Sequence, residues 1–344
     1  MTMPRTGART RVTPLVAGMT LAALLIIALL VAVTVGPAPI GVADVWRSIA
    51  AHLRFTESRL PATADAIVWD LRLPRALIAM FVGASLAVCG AVMQSVTRNP
   101  LADPYLLGLS SGASLGAVAV IVLTWTIALP LAAFAGALIA LLVTIALAGA
   151  FGAMTPSRII LAGIAVSAVF SALTSITIFW STTGDSFREI LSWLLGSIAG
   201  ATWSGVLIIT AAFVLVGVPL LLSANVLDAF QFGDTDARAL GVNVTRARWV
   251  LLGTTALLTG AAVAVSGAIG FVGLVIPHAI RLTSVRTGRA LLPLAALAGA
   301  VLLLGADTIA RTAFAPRELP VGIVTALIGA PVFAVLLARA KKLT

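Results

Sequence analysis

The chain has 344 residues, of which 60% are hydrophobic and only 10% are charged. A soluble domain carries about 25% charged residues, so this composition excludes a water-soluble fold and indicates that lipid surrounds most of the chain. The formal net charge is +10, but the arginines are scattered between long apolar runs. That distribution is typical of charges that flank membrane spans, and it does not predict a nucleic-acid partner.

The sequence lacks the residue sets needed for a metal site or for ATP hydrolysis. Cys89 is the only cysteine, and His52 and His278 are the only histidines, so we expect no bound metal and no intrachain disulfide. A Walker A loop requires Gly-Lys-Ser/Thr, whereas the only lysines are Lys341 and Lys342. We therefore predict that the chain is not an enzyme and holds no cofactor, and that another chain uses ATP and Mg²⁺.

The N-terminus predicts a retained membrane helix. Residues 1–14 contain Arg5, Arg9 and Arg11 and precede an apolar run of 21 residues, Leu15–Val35. The apolar region of a signal peptide is shorter, about 7–15 residues. We interpret residues 1–14 as a cytoplasmic tail and residues 15–344 as a single transmembrane domain.

Ten apolar segments approach the length of about 20 residues that a helix needs to cross a bilayer. The sequence therefore predicts an all-α polytopic membrane protein. The eighth segment is short and contains Pro277, so the sequence leaves open whether it spans fully. The predicted spans are 15–35, 75–97, 106–124, 129–150, 157–181, 191–222, 247–267, 272–285, 290–311 and 321–340.

The basic residues predict the orientation. With the N-terminus inside, 14 of the 22 basic residues fall in inner segments, as the positive-inside rule requires. Both termini are then predicted to lie in the cytoplasm. Two connections are long: an outer loop over residues 36–74 and an inner loop over residues 223–246.

An internal repeat links two of the predicted spans. Gly83–Ala91 and Gly260–Ala268 match at six of nine positions. The predicted orientation runs these two helices in opposite directions, which is typical of the inverted repeats of transporters. Chance similarity between helices rich in glycine and alanine is the alternative.

Two segments near the second span carry arginine or proline patterns. Pro74 favours a helix start, which would place Arg72 and Arg75 on one face at the outer mouth, where they could anchor lipid headgroups or bind a partner. At the inner end, Pro100 and Pro104 rule out a continuous helix. The glycines after them recur every fourth residue and predict close helix packing. They are Gly108, Gly112 and Gly116.

A second glycine-rich segment predicts a broken or bent helix. Gly267, Gly270 and Gly273 recur every three residues and precede Pro277. They do not match the G-x-G-x-x-G phosphate-binding pattern, and an interrupted membrane helix is the better interpretation. We expect His278, the residue after this proline, to be interfacial.

The inner loop predicts two short helices. One begins near Asn225 and stops at Gly233, and the other begins at Asp234 and stops at Gly241. Helices of about two turns are marginal alone, so we expect them to rest on a partner through apolar side chains or to pack on the chain itself. The side chains expected to be exposed are Val226, Phe230, Phe232 and Leu240.

Asp307 and Arg311 lie four residues apart in the ninth span, and that spacing predicts an ion pair. A proton relay is the alternative. A relay would need further acidic groups inside the membrane, so an ion-coupled secondary transporter is the less favoured function.

Several segments together resemble the FecCD family, the permeases of ABC importers for ferric siderophores, haem and cobalamin. The resemblance rests on Arg72–Arg75, Gly83–Gln94, Asn99–Pro104, Gly267–His278 and Glu318–Phe333. It implies a type II ABC importer architecture, in which two permeases form a homodimer or heterodimer. It also implies two cytoplasmic ATPase subunits and an extracytoplasmic substrate-binding protein as partners, with a ferric siderophore as the first expected cargo and haem or cobalamin as alternatives.

The resemblance also implies roles for individual residues. Arg72, Arg75 and Arg311 match arginines that dock the binding protein. Ser167, Ser171 and Ser175 recur every four residues and are candidates for lining the path, with ordinary helix packing as the alternative. The candidate hinge or bent-helix positions are Pro100, Pro104, Gly267, Gly270, Gly273 and Pro277. Asn99, Leu101 and Ser157 match gate loops, although Pro156 departs from the small polar residue expected there. The residues that match the ATPase-coupling helices are Asp228, Phe230, Asp234, Asp236, Arg238, Leu240 and Gly241.

Overall fold

The computed structural model describes most of the chain. Residues 1–12 of the predicted N-terminal tail, which include its three arginines, and Lys341 and Lys342 lie outside the described residues. The residues described are 13–36, 38, 40–55, 60–125, 128–150, 155–180, 184–283, 285, 287–314 and 317–340.

The described residues form a bundle of α-helices, as predicted. A π-helical turn over Ile67–Arg72 joins α3 to α4, another over Phe213–Gly217 joins α9 to α10, and a 3₁₀ turn over Pro104–Leu107 precedes α5. The helices are α1 Pro14–Thr34, α2 Val42–His52, α3 Ala62–Ala66, α4 Leu73–Thr97, α5 Leu109–Leu123, α6 Leu129–Ala150, α7 Pro156–Phe179, α8 Gly184–Leu194, α9 Trp203–Ala212, α10 Val218–Leu222, α11 Ala224–Gln231, α12 Asp234–Ala239, α13 Val244–Ser266, α14 Val272–Leu282, α15 Gly288–Thr312 and α16 Val321–Ala340.

Seven helical segments of the described chain are long and apolar enough to cross a membrane. Three shorter apolar helices lie in α5, α14 and α16. Together these segments occupy the ten predicted positions. We call the face that carries α11 and α12 the predicted cytoplasmic face and the face that carries α2 and α8 the predicted external face.

The predicted span over residues 191–222 is wrong at its start. Helix α8 ends at Leu194, and the chain then turns at Gly196, whose φ of +76° favours glycine. Helix α9 begins after Thr202, whose hydroxyl accepts a hydrogen bond from the Gly205 amide at 3.2 Å. The turn and this N-cap divide the apolar run into a short helix on the predicted external face and a separate span.

Helix α4 begins at Leu73 with Pro74 in its first turn, as predicted, but α4 is not the start of the helical path. A helical path begins at Ala62 and continues into α4 through the π-helical turn Ile67–Arg72. Proline lacks the amide that an α-helix needs in its interior, and widened turns are a common way to accommodate it. The two arginines therefore lie within a continuous helical segment.

Helix α4 is the most buried span of the described chain, and glycines bring other helices against its backbone. A side chain at Gly83 would collide with the backbone of Gly299 in α15, and one at Gly90 would collide with the backbone of Gly273 in α14. A similar crossing joins α5 to α6, where Gly112 lies against Gly136. The predicted close packing of the glycine strip on α5 is therefore confirmed.

The two copies of the repeat lie in α4 and α13, which pack against each other. The thiol of Cys89 donates a weak hydrogen bond to the Thr255 carbonyl oxygen at 3.5 Å. The two copies end differently, because α4 continues beyond the first copy to Thr97, whereas α13 ends at Ser266 within the second copy. The last two residues of the second copy, Gly267 and Ala268, therefore begin the broken segment.

We predict that Gly83→Leu lowers the free energy of unfolding by about 2–3 kcal/mol, because the added side chain must push α4 and α15 apart. Gly305→Ala in α15 is the matched control, since a Cβ there meets no atom within 4 Å. Thermal unfolding in detergent measures both variants. Equal melting temperatures would show that the crossing does not limit packing.

Candidate functional site

Two of the three arginines matched to binding-protein docking hold the end of α1. The Arg72 guanidinium donates to the carbonyl oxygens of Val33 and Thr34, at 3.0 and 2.7 Å. The Arg311 guanidinium donates to the Ala32 carbonyl oxygen. The last carbonyls of a helix have no partner within it and carry partial negative charge, so these cations complete the end of α1.

The third arginine, Arg75, joins α4 to α15 through two carboxylates. Its Nε lies 3.0 Å from both Asp307 oxygens, and its Nη1 lies 2.6 Å from Glu318 Oε2. The predicted ion pair between Asp307 and Arg311 is wrong in its partner, because the Asp307 carboxylate is hydrogen-bonded to Arg75. The Asp307 side chain is 2% exposed and that of Glu318 is 39% exposed.

All three arginines are buried within the subunit, at 5% exposure for Arg72, 8% for Arg75 and 4% for Arg311. They therefore have protein partners, which contradicts the interpretation of Arg72 and Arg75 as lipid-headgroup anchors. Their docking role stays a prediction. It now requires a carboxylate of the binding protein to replace one of the acceptors inside this chain.

The inner loop forms the two predicted short helices, which start within one residue of the predicted positions, although the residues that precede them as N-caps differ. Helix α11 begins after Ser223 and α12 begins after Gly233, so neither Asn225 nor Asp234 is the N-cap. The Asn225 amide oxygen instead accepts from Arg289 Nε at 2.9 Å. Both helices end near the predicted glycines, and Gly233 and Gly241 have positive φ.

Part of the predicted coupling set faces inward. The expectation that Phe230 is exposed is wrong, because its ring is fully buried beneath the Arg248 guanidinium, 5.5 Å from the ring centroid. Asp228 accepts from the Gly288 amide at 2.6 Å, and Asp234 lies 2.8 Å from Arg248 Nη2. These residues fix the loop to α13 and α15.

The other loop residues form an exposed surface on the predicted cytoplasmic face, which we call the loop surface. Phe232 is 69% exposed and Leu240 is 66% exposed. Charged side chains lie beside these apolar ones. The loop surface consists of Phe232, Asp236, Arg238, Leu240 and Gly241.

The three predicted gate residues lie on connections at the same face. The Asn99 side chain accepts a hydrogen bond from the Leu101 amide at 2.9 Å, which closes a turn after Arg98. Leu101 is 42% exposed. Ser157 is exposed in the first turn of α7, where Thr155 is the N-cap.

The predicted hinge positions lie on both sides of a tyrosine contact. The Tyr105 hydroxyl donates to the Ile269 carbonyl oxygen at 3.0 Å and accepts from the Ile269 amide at 3.2 Å. This contact ties the proline segment Pro100–Pro104 to the glycine segment Gly267–Gly273. Gly267 has a φ of +65°, and a Cβ at Gly270 would meet open space.

The sequence interpretation missed a polar cluster between α4 and α14. The Arg281 guanidinium donates to the Gln94 side-chain oxygen, and to Ser95 Oγ at 2.9 Å. Gln94 in turn donates to the Leu274 carbonyl oxygen at 3.1 Å. A polar glutamine three residues after the first copy of the repeat, within an apolar span, was the signal that could have revealed it.

The two histidines also differ from expectation. His278 is not interfacial, because it is 7% exposed and packs edge-on against Phe333 of α16, with ring centroids 6.4 Å apart. His52 has specific neighbours that the sequence did not reveal. Its ring stacks on Trp69 at 4.0 Å, and its Nε2 lies 3.6 Å from an Asp65 oxygen.

The three predicted path serines, Ser167, Ser171 and Ser175, line one cavity of about 460 Å³ between α5 and α7. The sequence interpretation missed the residues of α5 that face them. Those residues are Ser110, Ser111 and Ser114, with Tyr105 beside them. Within the described part of the chain, no group of three His, Cys, Asp or Glu side chains is placed to hold a metal ion.

Comparison with known proteins places this geometry among transport permeases. Residues 24–339 match the model of the FecCD transport family. The cobalamin import system permease protein BtuC of Halobacterium salinarum is 44% identical over 280 residues, covering 81% of this chain and 75% of that protein. The vitamin B12 import system permease protein BtuC of Salmonella schwarzengrund is 42% identical over 293 residues, covering 82% and 87%.

Solved structures share the fold. An inward-facing conformation of a putative metal-chelate type ABC transporter has a TM-score of 0.81 and 32% identity, covering 94% of this chain and 98% of that chain. The PsaBC complex of Streptococcus pneumoniae has a TM-score of 0.55 and 18% identity, covering 77% and 90%. The second likeness shows the fold alone.

We predict that Asp307→Asn destabilises the protein by about 3–5 kcal/mol, because it leaves a buried guanidinium with one exposed carboxylate. Asp44→Asn is the control, since Asp44 pairs with Arg47 on the surface and such pairs contribute about 0–1 kcal/mol. Thermal unfolding in detergent compares the two. If Asp307→Asn lowered stability no more than Asp44→Asn does, the assignment of Arg75 as the buried partner of Asp307 would be contradicted.

Proposed function

Because the chain belongs to the FecCD transport family, as the permease subunit of an ABC importer of the metal-chelate and vitamin B12 type, we propose that its cargo is cobalamin or a related corrinoid. The observation that carries the proposal is the identity of 42–44% with permeases named for cobalamin and vitamin B12, over more than four-fifths of this chain.

A ferric siderophore, the cargo that the resemblance predicts first, is the second candidate. The structure with a TM-score of 0.81 is described as a putative metal-chelate type transporter, and it is 32% identical to this chain. The lower identity ranks a siderophore behind a corrinoid. Haem is a third candidate, on the family resemblance alone.

We propose that the working complex contains two permeases, two ATPase subunits at the predicted cytoplasmic face and a binding protein at the predicted external face. The loop surface supports the ATPase contact. Its exposed Phe232 and Leu240 lie beyond the membrane-spanning helices, where exposed apolar side chains of this size mark partner sites. Asp228, Phe230 and Asp234 lie beneath the loop surface, and their contacts keep the loop rigid.

The rigid attachment of the loop to the membrane-spanning helices matters for the proposed mechanism. Movement of an ATPase against the loop surface would pass to α13 and α15 through Arg248 and Gly288, which hold the loop. The interrupted segment after Gly267 offers a place for the bundle to bend, because its neighbour Gly270 has open space. The Tyr105 contact would move with it and couple this bend to the gate connection.

We predict that the double variant Phe232→Ser/Leu240→Ser weakens ATPase association tenfold or more, since burying one such side chain contributes about 1.5–3 kcal/mol. The matched control is Leu53→Ser/Phe55→Ser, which removes two exposed apolar side chains from the predicted external face. Co-purification of the ATPase measures both. Full retention by the first variant would remove the loop surface from the interface.

The arginine cluster supports a docking mechanism based on exchange of partners. Arg75 has two carboxylate partners, and Glu318 is the exposed one. We propose that a carboxylate of the binding protein displaces Glu318 while Asp307 keeps Arg75 in place. Arg72 and Arg311 add positive charge nearby and orient the approaching partner.

We predict that Glu318→Gln tightens docking about two- to fivefold, which corresponds to about 0.4–1 kcal/mol, because it removes the charge of an internal competitor for Arg75. Asp70→Asn, an exposed acid on the same side of the bundle, is the control. Titration of the binding protein against purified complexes that carry each variant, at low and high salt, measures the docking affinities. Weaker docking by Glu318→Gln would contradict the exchange.

Uptake of labelled cobalamin, ferric siderophore and haem in cells with and without this chain tests the cargo. Selective loss of cobalamin uptake, restored by the wild-type gene, is the expected result. Loss of siderophore uptake with cobalamin uptake intact would contradict the corrinoid proposal and identify a ferric siderophore as the cargo.

A further inference from the structure

We propose that the cavity between α5 and α7 is a binding niche for neutral hydrogen-bonding groups of the cargo, such as carboxamides, and that it selects against chelates with several negative charges. The inference rests on the proposed transport function and specifies the chemistry of its substrate. We call this cavity the hydroxyl niche, with the lining residues Tyr105, Ser110, Ser111, Ser114, Ser167, Ser171, Thr174, Ser175, Ile178 and Leu194.

The lining is unusual for a site between membrane helices. Eight of its ten residues carry a hydroxyl group and none carries a charge. A hydroxyl both donates and accepts hydrogen bonds, so it can bind the N–H and the C=O of an amide. Several negative charges inside the membrane would instead need cations, and the niche offers none.

Four of the hydroxyls have no partner within the described residues, which gives independent support. In membrane helices a serine hydroxyl commonly bonds the carbonyl four residues earlier. Ser175 does so with Ser171 at 2.9 Å, and Thr174 with Phe170 at 2.8 Å. The unpartnered hydroxyls are those of Ser110, Ser114, Ser167 and Ser171.

An unpartnered hydroxyl is costly when it is buried, and Ser114 is the buried member of these four, so its hydroxyl requires water or a polar ligand. Ser114 is 9% exposed and still lines the niche. Ser167 and Ser171 lie one helical turn apart, so the open hydroxyls form a ladder about 6 Å long on α7 that faces the serines of α5.

The size of the niche fits part of a cargo. A volume of about 460 Å³ lies within the usual range for ligand pockets, about 300–1,000 Å³. It would therefore receive one amide-bearing edge of a large chelate. The resemblance implies a second permease, and a second niche could receive the opposite edge.

The test uses the complete transporter in proteoliposomes, with four cargoes in parallel. They are cobalamin, cobalamin with peripheral amides hydrolysed to carboxylates, a neutral ferric hydroxamate and an anionic ferric catecholate. We expect Ser114→Ala/Ser167→Ala/Ser171→Ala to raise the KM for neutral cargo on the order of tenfold, from the loss of several hydrogen bonds. Thr177→Ala is the matched control, because Thr177 bonds the Leu173 carbonyl and does not line the niche.

The outcomes separate the niche from the proposed cargo. Transport of the neutral hydroxamate but not of cobalamin would overturn the corrinoid proposal and support the niche. Transport of the catecholate, or of the carboxylate derivative as well as cobalamin, would overturn the niche. A triple variant that assembles fully and keeps the wild-type KM for neutral cargo would also overturn it, even if cobalamin is the cargo.

Discussion

The fold depends on the close approach of backbones around α4. Gly83 against Gly299 and Gly90 against Gly273 let two helices pack on α4 at distances that any side chain would prevent. In lipid, helix association gains little from the hydrophobic effect, so such close contact is a main source of attraction. The crossing with α15 also brings Arg75 to Asp307, and the crossing with α14 brings Gln94 to Arg281.

The same solvent explains where the polar groups are. Charges within the bundle are paired or bonded to carbonyls, as with Arg72 at the end of α1. Asp307 is bonded to Arg75, which removes it as a ready proton carrier and agrees with an ABC importer, not an ion-coupled transporter. The open hydroxyls between α5 and α7 differ from these groups, because they carry no charge and line one shared cavity.

Much of the fold could be predicted from the sequence, because apolar length and glycine spacing are local signals. The ten spans and the glycine crossing of α5 are examples. The start of α9 could not be predicted, since an apolar run hides the turn at Gly196. Partners of charged residues were also missed: four-residue spacing paired Asp307 with Arg311, whereas a residue 232 positions away is the partner. Such contacts depend on how distant helices pack against each other, which cannot be predicted from the local spacing of residues in a single sequence.

We propose that this permease moves a corrinoid with energy from ATP hydrolysed in a partner subunit. The most direct measurement is uptake of labelled cobalamin by proteoliposomes that contain the assembled transporter and its binding protein. The lumen, on the ATPase side, holds ATP or a non-hydrolysable analogue, with and without a proton gradient. The account predicts accumulation with ATP alone and none with the analogue, whatever the gradient. Accumulation driven by the gradient without ATP hydrolysis would contradict it.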